Sequence, residues 1–209
     1  MLKNQMIRPL LCCPGCQAIL EESLSSFRCP ACQTTYPLVD GVPILIDERR
    51  SIFRIEDFVS HQATYFQNHW LIRAKKRVGR YLPTLGINRR AKDNFDSFKK
   101  TLKEQFPDGL ISVLVIGTGD FGLGMEALTH DPRIVLVETD VNLTARVSAV
   151  TDGHSLPFRD GSFQGVVAQA VLEHVADPVC VVNEIWRVLQ PGGATYTETP
   201  FMQQVHAGA

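Results

Sequence analysis

Five of the six cysteines lie within the first 32 residues, and four of them form two Cys-x-x-Cys pairs. The pairs are Cys13 with Cys16 and Cys29 with Cys32, and twelve residues separate them. Each pair directs two thiolates toward one point, and two such pairs on adjacent hairpins make the tetrahedral sulfur cage that zinc prefers. The spacing therefore predicts a zinc site. Because four thiolates leave the metal no open position, we expect the zinc to be structural rather than catalytic.

The alternative for these cysteines is a pair of disulfides, which persist in oxidising compartments. The first residues, "MLKNQMIRPLL", lack the apolar core and cleavage site of a secretory signal. No stretch approaches the roughly 20 continuous apolar residues that span a bilayer. We therefore expect a cytoplasmic protein with reduced cysteines and no membrane contact. Cys12 is a bystander in this interpretation, and the net charge of −1 favours no particular partner.

A second group of residues with chemical potential begins at the glycine-rich stretch "VLVIGTGDFG". Gly117, Gly119 and Gly122 follow an apolar run, and glycines in such a loop let the backbone approach a ligand closely. The pattern fits a dinucleotide or a cofactor without a phosphate. After the next apolar run, Glu138 can accept hydrogen bonds from both hydroxyls of a ribose, with Asp140 in reserve.

The elements that must position these residues alternate between short apolar runs and helical segments. Strands are predicted near 111–116, 134–138, 147–150, 165–168 and 194–198, and helices at about 122–130 and 178–189. This alternation indicates a parallel sheet, whose carboxyl ends carry the ligand site. Only eight residues separate the second and third predicted strands, so their connection is a minimal helix or a loop.

Three regions differ in texture: 1–48, 49–109 and 110–209. The middle region is predicted to be a helical connector or lid, from the helical spacing of Trp70, Leu71, Ala74 and Val78 and from the amphipathic stretch "FDSFKKTLKEQF". About two thirds of the Lys and Arg residues fall in 49–103. We interpret them as a solvated helix face, and the alternative is contact with the phosphates of a nucleic acid.

The N-terminal segments "LLCCPGC" and "YPLVDGVPILID" complete a recognisable pattern. Residues 8–48 resemble the small zinc-ribbon proteins that bind and activate methyltransferases. The resemblance implies an adaptor role with a protein partner. Zinc ribbons in general also bind nucleic acid, so RNA is a further candidate partner.

A longer series of motifs runs through "DGHSLPFRDGSFQGVVAQAVLEHVADPVCVVNEIWRVLQPGGATYTETPF". Over residues 111–205 the chain resembles class I S-adenosylmethionine-dependent methyltransferases. The resemblance implies an α/β fold with a Rossmann-like, mostly parallel sheet that lacks the family's last strands. It also implies S-adenosylmethionine, rather than a dinucleotide, at the glycine loop.

The resemblance assigns roles to individual residues. Gly117 and Gly119 would let the backbone approach the amino-acid tail of the cofactor. Asp152 would face the adenine amino group, with Gly153 beside it, and Gln169 would lie near the methionine end. The chain departs from the family's usual residues at three positions, which are Val115, Phe121 and Gln164.

Methyl transfer depends largely on positioning, which can supply about 7–11 kcal/mol of the barrier reduction for well-held reactants. A general base is needed only if the acceptor must lose a proton as it attacks. His174 in "LEHV" and His206 in "PFMQQVHAGA" are the candidates, with Glu173 behind them. For His174, packing or capping is the alternative role.

The family fold adds a helix and an antiparallel hairpin after the fifth strand, whereas this sequence stops at Ala209. We therefore expect either a fragment or a fifth strand whose exposed edge pairs with a partner. The leading hypothesis is a methyltransferase with an N-terminal zinc ribbon and an unknown acceptor, for which RNA, a protein and a small metabolite are the candidates. The alternatives are a catalytically inactive interaction module and a nucleic-acid binder.

Overall fold

The computed structural model describes residues 4–60, 90–119 and 122–199. A 3-10 helix at Gln5–Leu10 precedes the first strand, and the helices are α1 (Ile55–Val59), α2 (Ala91–Gln105), α3 (Glu126–Thr129) and α4 (Pro178–Val188). The strands are β1 (Glu21–Glu22), β2 (Ser26–Arg28), β3 (Thr35–Val39), β4 (Val42–Leu45), β5 (Ile111–Ile116), β6 (Ile134–Asp140), β7 (Ala149–Thr151), β8 (Phe163–Gln169) and β9 (Leu189–Glu198).

These strands form one sheet in the order β1-β2-β3-β4-β7-β6-β5-β8-β9. The first four pair antiparallel, and the remaining pairs are parallel. β4 joins the two parts, because Ile44 and Leu45 pair with Val150 and Thr151 of β7. The cysteine-rich unit therefore continues the sheet, and the mostly parallel α/β fold predicted from the sequence is confirmed.

Every strand predicted for the parallel part is present; β5 has the predicted bounds, and the other four strands have shifted ends. β6 continues two residues beyond the predicted 134–138 and ends at Asp140. β9 begins at Leu189, directly after α4, rather than near 194. The predicted helix at 122–130 is reduced to α3, and the connection between β6 and β7 contains no helix. That connection is the loop expected from its short length.

The parallel strands bury both faces, as their nearly continuous apolar composition requires. Alternate residues of β5 point to opposite sides, with Val113 and Val115 on one face and Leu114 and Ile116 on the other. α2 covers the first face with side chains at helical spacing, and Gly165 of β8 lets this helix approach closely, since a Cβ there would lie 2.9 Å from Leu102.

The second face is shared by α4 and the cysteine-rich unit. Ile185 of α4 belongs to the same buried cluster as Leu11, Phe27 and Tyr36 from the N-terminal unit. Leu11 also forms an antiparallel bridge with Phe158, just beyond β7. The N-terminal unit therefore packs into the core of the α/β part.

Several predictions fall outside the described residues. Among them are the helical spacing at 70–78, the lid role of the middle region and the roles of Phe121 and His206. The second amphipathic stretch is confirmed as α2. The division into regions 1–48, 49–109 and 110–209 stays a prediction. Within the described part of the chain, no helix is both long and apolar enough to cross a membrane.

Candidate functional site: a four-cysteine cluster and a crevice at the strand ends

The four cysteines of the two Cys-x-x-Cys pairs come together at one point. Their sulfur atoms all lie within 4.8 Å of one another. Cys13 Sγ is 3.6 Å from Cys32 Sγ, and Cys16 Sγ is 3.4 Å from Cys29 Sγ. Sulfurs around a tetrahedral zinc with bonds of about 2.3 Å lie about 3.8 Å apart. All six cysteines are free thiols, so the cluster can hold a metal ion and the alternative of two disulfides is not what the structure contains.

Matching local turns build the two halves of this cluster. Gln17 and Gln33, each directly after a Cys-x-x-Cys pair, have positive φ values of 60° and 63°. Their backbone N–H groups donate to the carbonyls of Cys13 and Cys29 at 2.7 and 3.0 Å. The left-handed residue ends each turn and directs both thiols to the same side.

The surroundings of the thiols suit a bound cation. The Tyr36 hydroxyl lies 3.2 Å from Cys13 Sγ, where it can donate to a thiolate. Burial raises the pKa of Cys13 to about 12 in the absence of a metal ion. A hydrogen bond with Thr34 lowers the pKa of Cys32 to about 6. A buried thiol becomes a thiolate most readily when a cation neutralises it, so these groups fit a divalent metal.

The second site is the crevice at the carboxyl ends of the parallel strands. β5 has β6 on one side and β8 on the other, so the direction of the strand order changes between β5 and β8. Open α/β sheets bind ligands at such a point. The glycine loop leaves β5 here, and a polar residue stands at or beyond the end of each neighbouring strand.

The glycine loop depends on a backbone conformation that favours glycine. Gly117 has a φ of +68°, and a Cβ added there would lie 2.6 Å from Val171 Cγ2. The loop is tied to β6 through the Thr118 N–H, which donates to Thr139 O at 3.1 Å, and the Gly119 N–H, which donates to Asp140 Oδ2 at 2.8 Å. The loop and the end of β6 therefore form one unit.

The two carboxylates of β6 have different environments. Asp140 ends the strand, is 6% exposed, and also accepts from the Asn142 N–H through Oδ1 at 2.8 Å. Glu138 lies two residues earlier and forms an ion pair with Arg146. Sequence reasoning placed the strand end at Glu138. That position is wrong because β6 continues to Asp140, the second candidate for binding the ribose hydroxyls.

The turn at residues 152–155, after β7, holds a buried carboxylate. Asp152 is 5% exposed, and its Oδ1 accepts from the His154 N–H at 3.0 Å and from His154 Nδ1 at 2.6 Å. The Asp177 N–H donates to His154 Nε2 at 3.1 Å, which assigns the ring proton to Nδ1. Gly153 lies against the start of α4, and a Cβ there would be 3.4 Å from Val181.

The ends of β8 and β9 carry a linked polar group. Gln169 Nε2 donates to Glu198 Oε2 at 3.3 Å, and the Tyr196 hydroxyl donates to the same oxygen at 2.5 Å. Burial raises the pKa of Tyr196 to about 12, so its hydroxyl stays protonated at neutral pH. Gln169 Oε1 is buried without a hydrogen-bond partner among the described residues, beside the Cα of Gly122.

Of the two predicted bases, only His174 lies within the described residues. His174 is exposed, and its backbone N–H donates to Val171 O at 2.9 Å in the segment that packs against the glycine loop. His206 lies outside the described residues. Sequence reasoning missed two residues, Glu198 and Ser51. The end of the last strand could have drawn attention to Glu198, whereas no local signal marks Ser51.

The segment that builds this crevice is similar to known proteins. Residues 114–197 match the family model described as "Methyltransferase domain". A protein described as an uncharacterized 37.1 kDa protein in transposon TN4556 of Streptomyces fradiae is 33% identical over 96 residues, 39% of this chain and 28% of that protein. A ubiquinone biosynthesis O-methyltransferase of Xanthomonas oryzae pv. oryzae is 32% identical over 84 residues, 37% of this chain and 34% of that protein.

The chain therefore spans about a third of the length of the curated relatives it matches. Among solved structures, a complex between the Haloferax volcanii Trm112 methyltransferase activator and a methyltransferase is 25% identical and covers 59% of this chain and 57% of that one. The TM-score of this match is 0.38. The similarity to methyltransferase domains is therefore limited to residues 114–197, the segment that carries the crevice.

Proposed function

We propose that the crevice binds S-adenosylmethionine and that the protein transfers the methyl group to an acceptor. The observation that carries the proposal is the junction of Gly119 with Asp140, within a segment that matches methyltransferase domains. A glycine loop joined to an acid at the end of the next strand offers a close backbone approach and a carboxylate at the same place. The amino-acid tail of the cofactor requires the close backbone approach, and the hydroxyls of its adenosine require the carboxylate.

The residue roles follow the order of the strands. We assign Asp152 and Gly153 to the adenine and Asp140 to the ribose hydroxyls. Glu138 was the first choice for the ribose, but its ion pair with Arg146 makes Asp140 the better candidate. We assign the groups that follow β5 and end β8 to the amino-acid end of the cofactor; these are Gly117, Gly119 and Gln169.

Two features support the fit of this cofactor. The buried Gln169 Oε1 lacks a donor among the described residues, and an ammonium group would supply one. Gly117 provides the second feature, because a side chain at this position would meet Val171 and fill the approach to the loop. A ligand with an ammonium group at one end and an adenine amino group at the other matches these surroundings.

When bound, the cofactor supplies a methyl group already activated by its sulfonium. The residues of this chain then need to bind, orient and exclude water, which is the main source of rate in such a displacement. If the acceptor carries a proton, a base must take it. His174 and His206 stay the candidates from the sequence, and Glu198 is a third, because its carboxylate lies at the end of β9 beside Gln169.

We further propose that the four-cysteine cluster holds a structural Zn²⁺. The cluster offers four sulfurs that all lie within 4.8 Å of one another, which is the number of ligands that a structural zinc takes. A protein partner or RNA at the ribbon or at β9, which lies at the edge of the described sheet, stays a prediction.

Calorimetric titration of the zinc-loaded chain with S-adenosylmethionine tests the proposal, with NAD as the competing ligand. We expect binding of the first alone, and a loss of about tenfold or more in Asp140→Asn, because a hydrogen bond to a charged group is removed. Glu138→Gln is the matched variant on the same strand, and we expect it to bind nearly as the native chain does. An absence of binding to S-adenosylmethionine would overturn the proposal and favour the inactive interaction module.

A further inference from the structure

Residues from the cysteine-rich unit and the segment that follows it reach into the crevice. The Ser51 hydroxyl donates to Asp152 Oδ2 at 2.6 Å, across 101 positions of sequence. The Ser155 hydroxyl donates to Pro14 O at 2.6 Å, across 141 positions. Pro14 lies inside the first Cys-x-x-Cys pair, between Cys13 and Cys16. The 152–155 turn is thus attached to the cysteine-rich unit at one end and to the segment that directly follows this unit at the other.

We propose that Ser51 is a positioning residue that holds the Asp152 carboxylate for the adenine amino group. This inference rests on the proposed function, since it concerns how the chain recognises the adenine of S-adenosylmethionine. A residue that directly follows the cysteine-rich unit would then contribute to the cofactor site of the same chain.

The hydrogen bonds of Asp152 explain why Ser51 matters. Oδ1 already accepts two bonds from His154. Oδ2 accepts from Ser51, and a carboxylate oxygen has capacity for two donors. Oδ2 is therefore the oxygen with capacity for a ligand N–H. The Ser51 hydroxyl fixes the direction of this oxygen, because each of the two carboxylate oxygens is then held by its own hydrogen bonds.

The position of Ser51 is set by a short chain of contacts from the cysteine cluster. The Ser51 N–H donates to Asp47 O at 3.0 Å. The Asp47 carboxylate pairs with the Arg49 guanidinium at 2.8 Å, and Arg49 Nη2 donates to Gly15 O at 3.2 Å. Gly15 stands in the same Cys-x-x-Cys pair as Pro14. Both attachments of the 152–155 turn therefore lead back to one metal-binding turn.

Ser51 also has a local role that the experiment must separate from positioning. Its Oγ accepts from the Phe53 N–H at 3.2 Å, so its removal also perturbs the start of the segment that leads to α1. A purely structural loss would weaken every ligand equally. A loss that acts through Asp152 must depend on the adenine amino group.

The experiment compares two ligands by calorimetry in the full, zinc-loaded chain. One is S-adenosylhomocysteine, and the other is its 6-deamino analogue, in which hydrogen replaces the adenine amino group. We expect Ser51→Ala to weaken the first by about tenfold and the second by less than about twofold, since only the first donates to Asp152. Ser51→Thr keeps the hydroxyl and should retain most of the affinity for S-adenosylhomocysteine.

Ser23→Ala is the matched control. Ser23 is an exposed serine of the cysteine-rich unit, and within the described residues its hydroxyl forms hydrogen bonds with Ser26 of the same hairpin. It should leave both affinities unchanged. If Ser51→Ala does not fold, Ser51→Cys provides a weaker donor of similar size and should give a smaller loss confined to S-adenosylhomocysteine.

Equal losses for both ligands, or none for either, would overturn the positioning role while leaving the proposed function intact. A native chain that binds neither ligand would instead overturn the proposed function, and the role of Ser51 with it. Hydrogen exchange offers an independent measurement, in which Ser51→Ala should raise the exchange rate at residues 152–155 and leave α2 unchanged.

Discussion

Arg187 is the residue of α4 whose removal should destabilise the fold most clearly. Its guanidinium is 16% exposed and donates to Leu156 O at 2.9 Å and to Phe158 O at 2.7 Å. It also pairs with Glu184 at 2.7 Å, and that carboxylate is 17% exposed. One side chain therefore joins α4 to the segment that follows the 152–155 turn.

Arg187→Ala removes the guanidinium donor from two carbonyls and from two carboxylates, those of Glu184 and the exposed Asp160. Removing one member of a largely buried ion pair costs about 3–5 kcal/mol. Because both side chains keep some contact with water, we expect the lower end, about 3 kcal/mol in the free energy of unfolding. For a chain of this size that corresponds to a fall of about 6–12 °C in Tm.

Urea unfolding followed by circular dichroism measures this change as a lower midpoint with the slope unchanged. Arg28→Ala is the matched control, because Arg28 is exposed and its guanidinium donates to the nearby Gln33 side chain. We expect a change within about 0.5 kcal/mol for it. The double variant Arg187→Met with Glu184→Leu should recover part of the loss, since no uncompensated buried charge remains and Asp160, the other partner, is 73% exposed to solvent.

A loss below about 1 kcal/mol in Arg187→Ala would refute this reasoning, because it is the value typical of a solvated surface pair. A loss as large in the double variant as in the single one would also contradict it. In that case the cost would come from packing of the Arg187 stem rather than from the unpaired partners.

Three further changes test other parts of the structure. Cys29→Ser should abolish stoichiometric zinc in metal analysis, and retention of a full equivalent would show that Cys29 is not a ligand. Gly117→Ala should destabilise the fold by about 1–3 kcal/mol through its positive φ, and its new Cβ should also clash with Val171. Gly109→Ala is the control, because Gly109 has a positive φ of +74° but open space around it. Equal effects of the two variants on the free energy of unfolding would rule out the clash. The hydrogen bond from Arg49 holds the pKa of Asp47 below its usual 3.8, so this pair stabilises the fold above that pH and the stabilisation is lost as the pH falls through the lowered pKa. Urea unfolding at a series of pH values should show a shallower acid loss in Asp47→Asn, and an unchanged pH profile would contradict the pair.

The strand pattern could be predicted because it depends on local sequence. Apolar runs long enough for buried strands stand between loop residues, and all five parallel strands follow them. The ends were less accurate, since β6 gains Thr139 and Asp140 through pairing with β5 and β7. That shift of two residues decides which acid stands at the strand end.

The cysteine cluster was also predictable, because ligand type and spacing are written in the sequence. The contacts between the cysteine-rich unit and the rest of the fold could not be predicted. Nothing local indicates that β4 would pair with β7, or that Ser51 would reach Asp152, since both contacts join residues about a hundred positions apart.

The sequence by itself therefore determined the fold class, the metal-binding residue types and the glycine loop, each of which depends on residue identity at short spacing. Tertiary structure alone decided that the N-terminal unit extends the sheet, that Arg146 engages Glu138, and that Gln169 meets Glu198. The physical reason is that these contacts depend on how whole elements pack, and the free energy of packing is shared among residues that are distant in the chain.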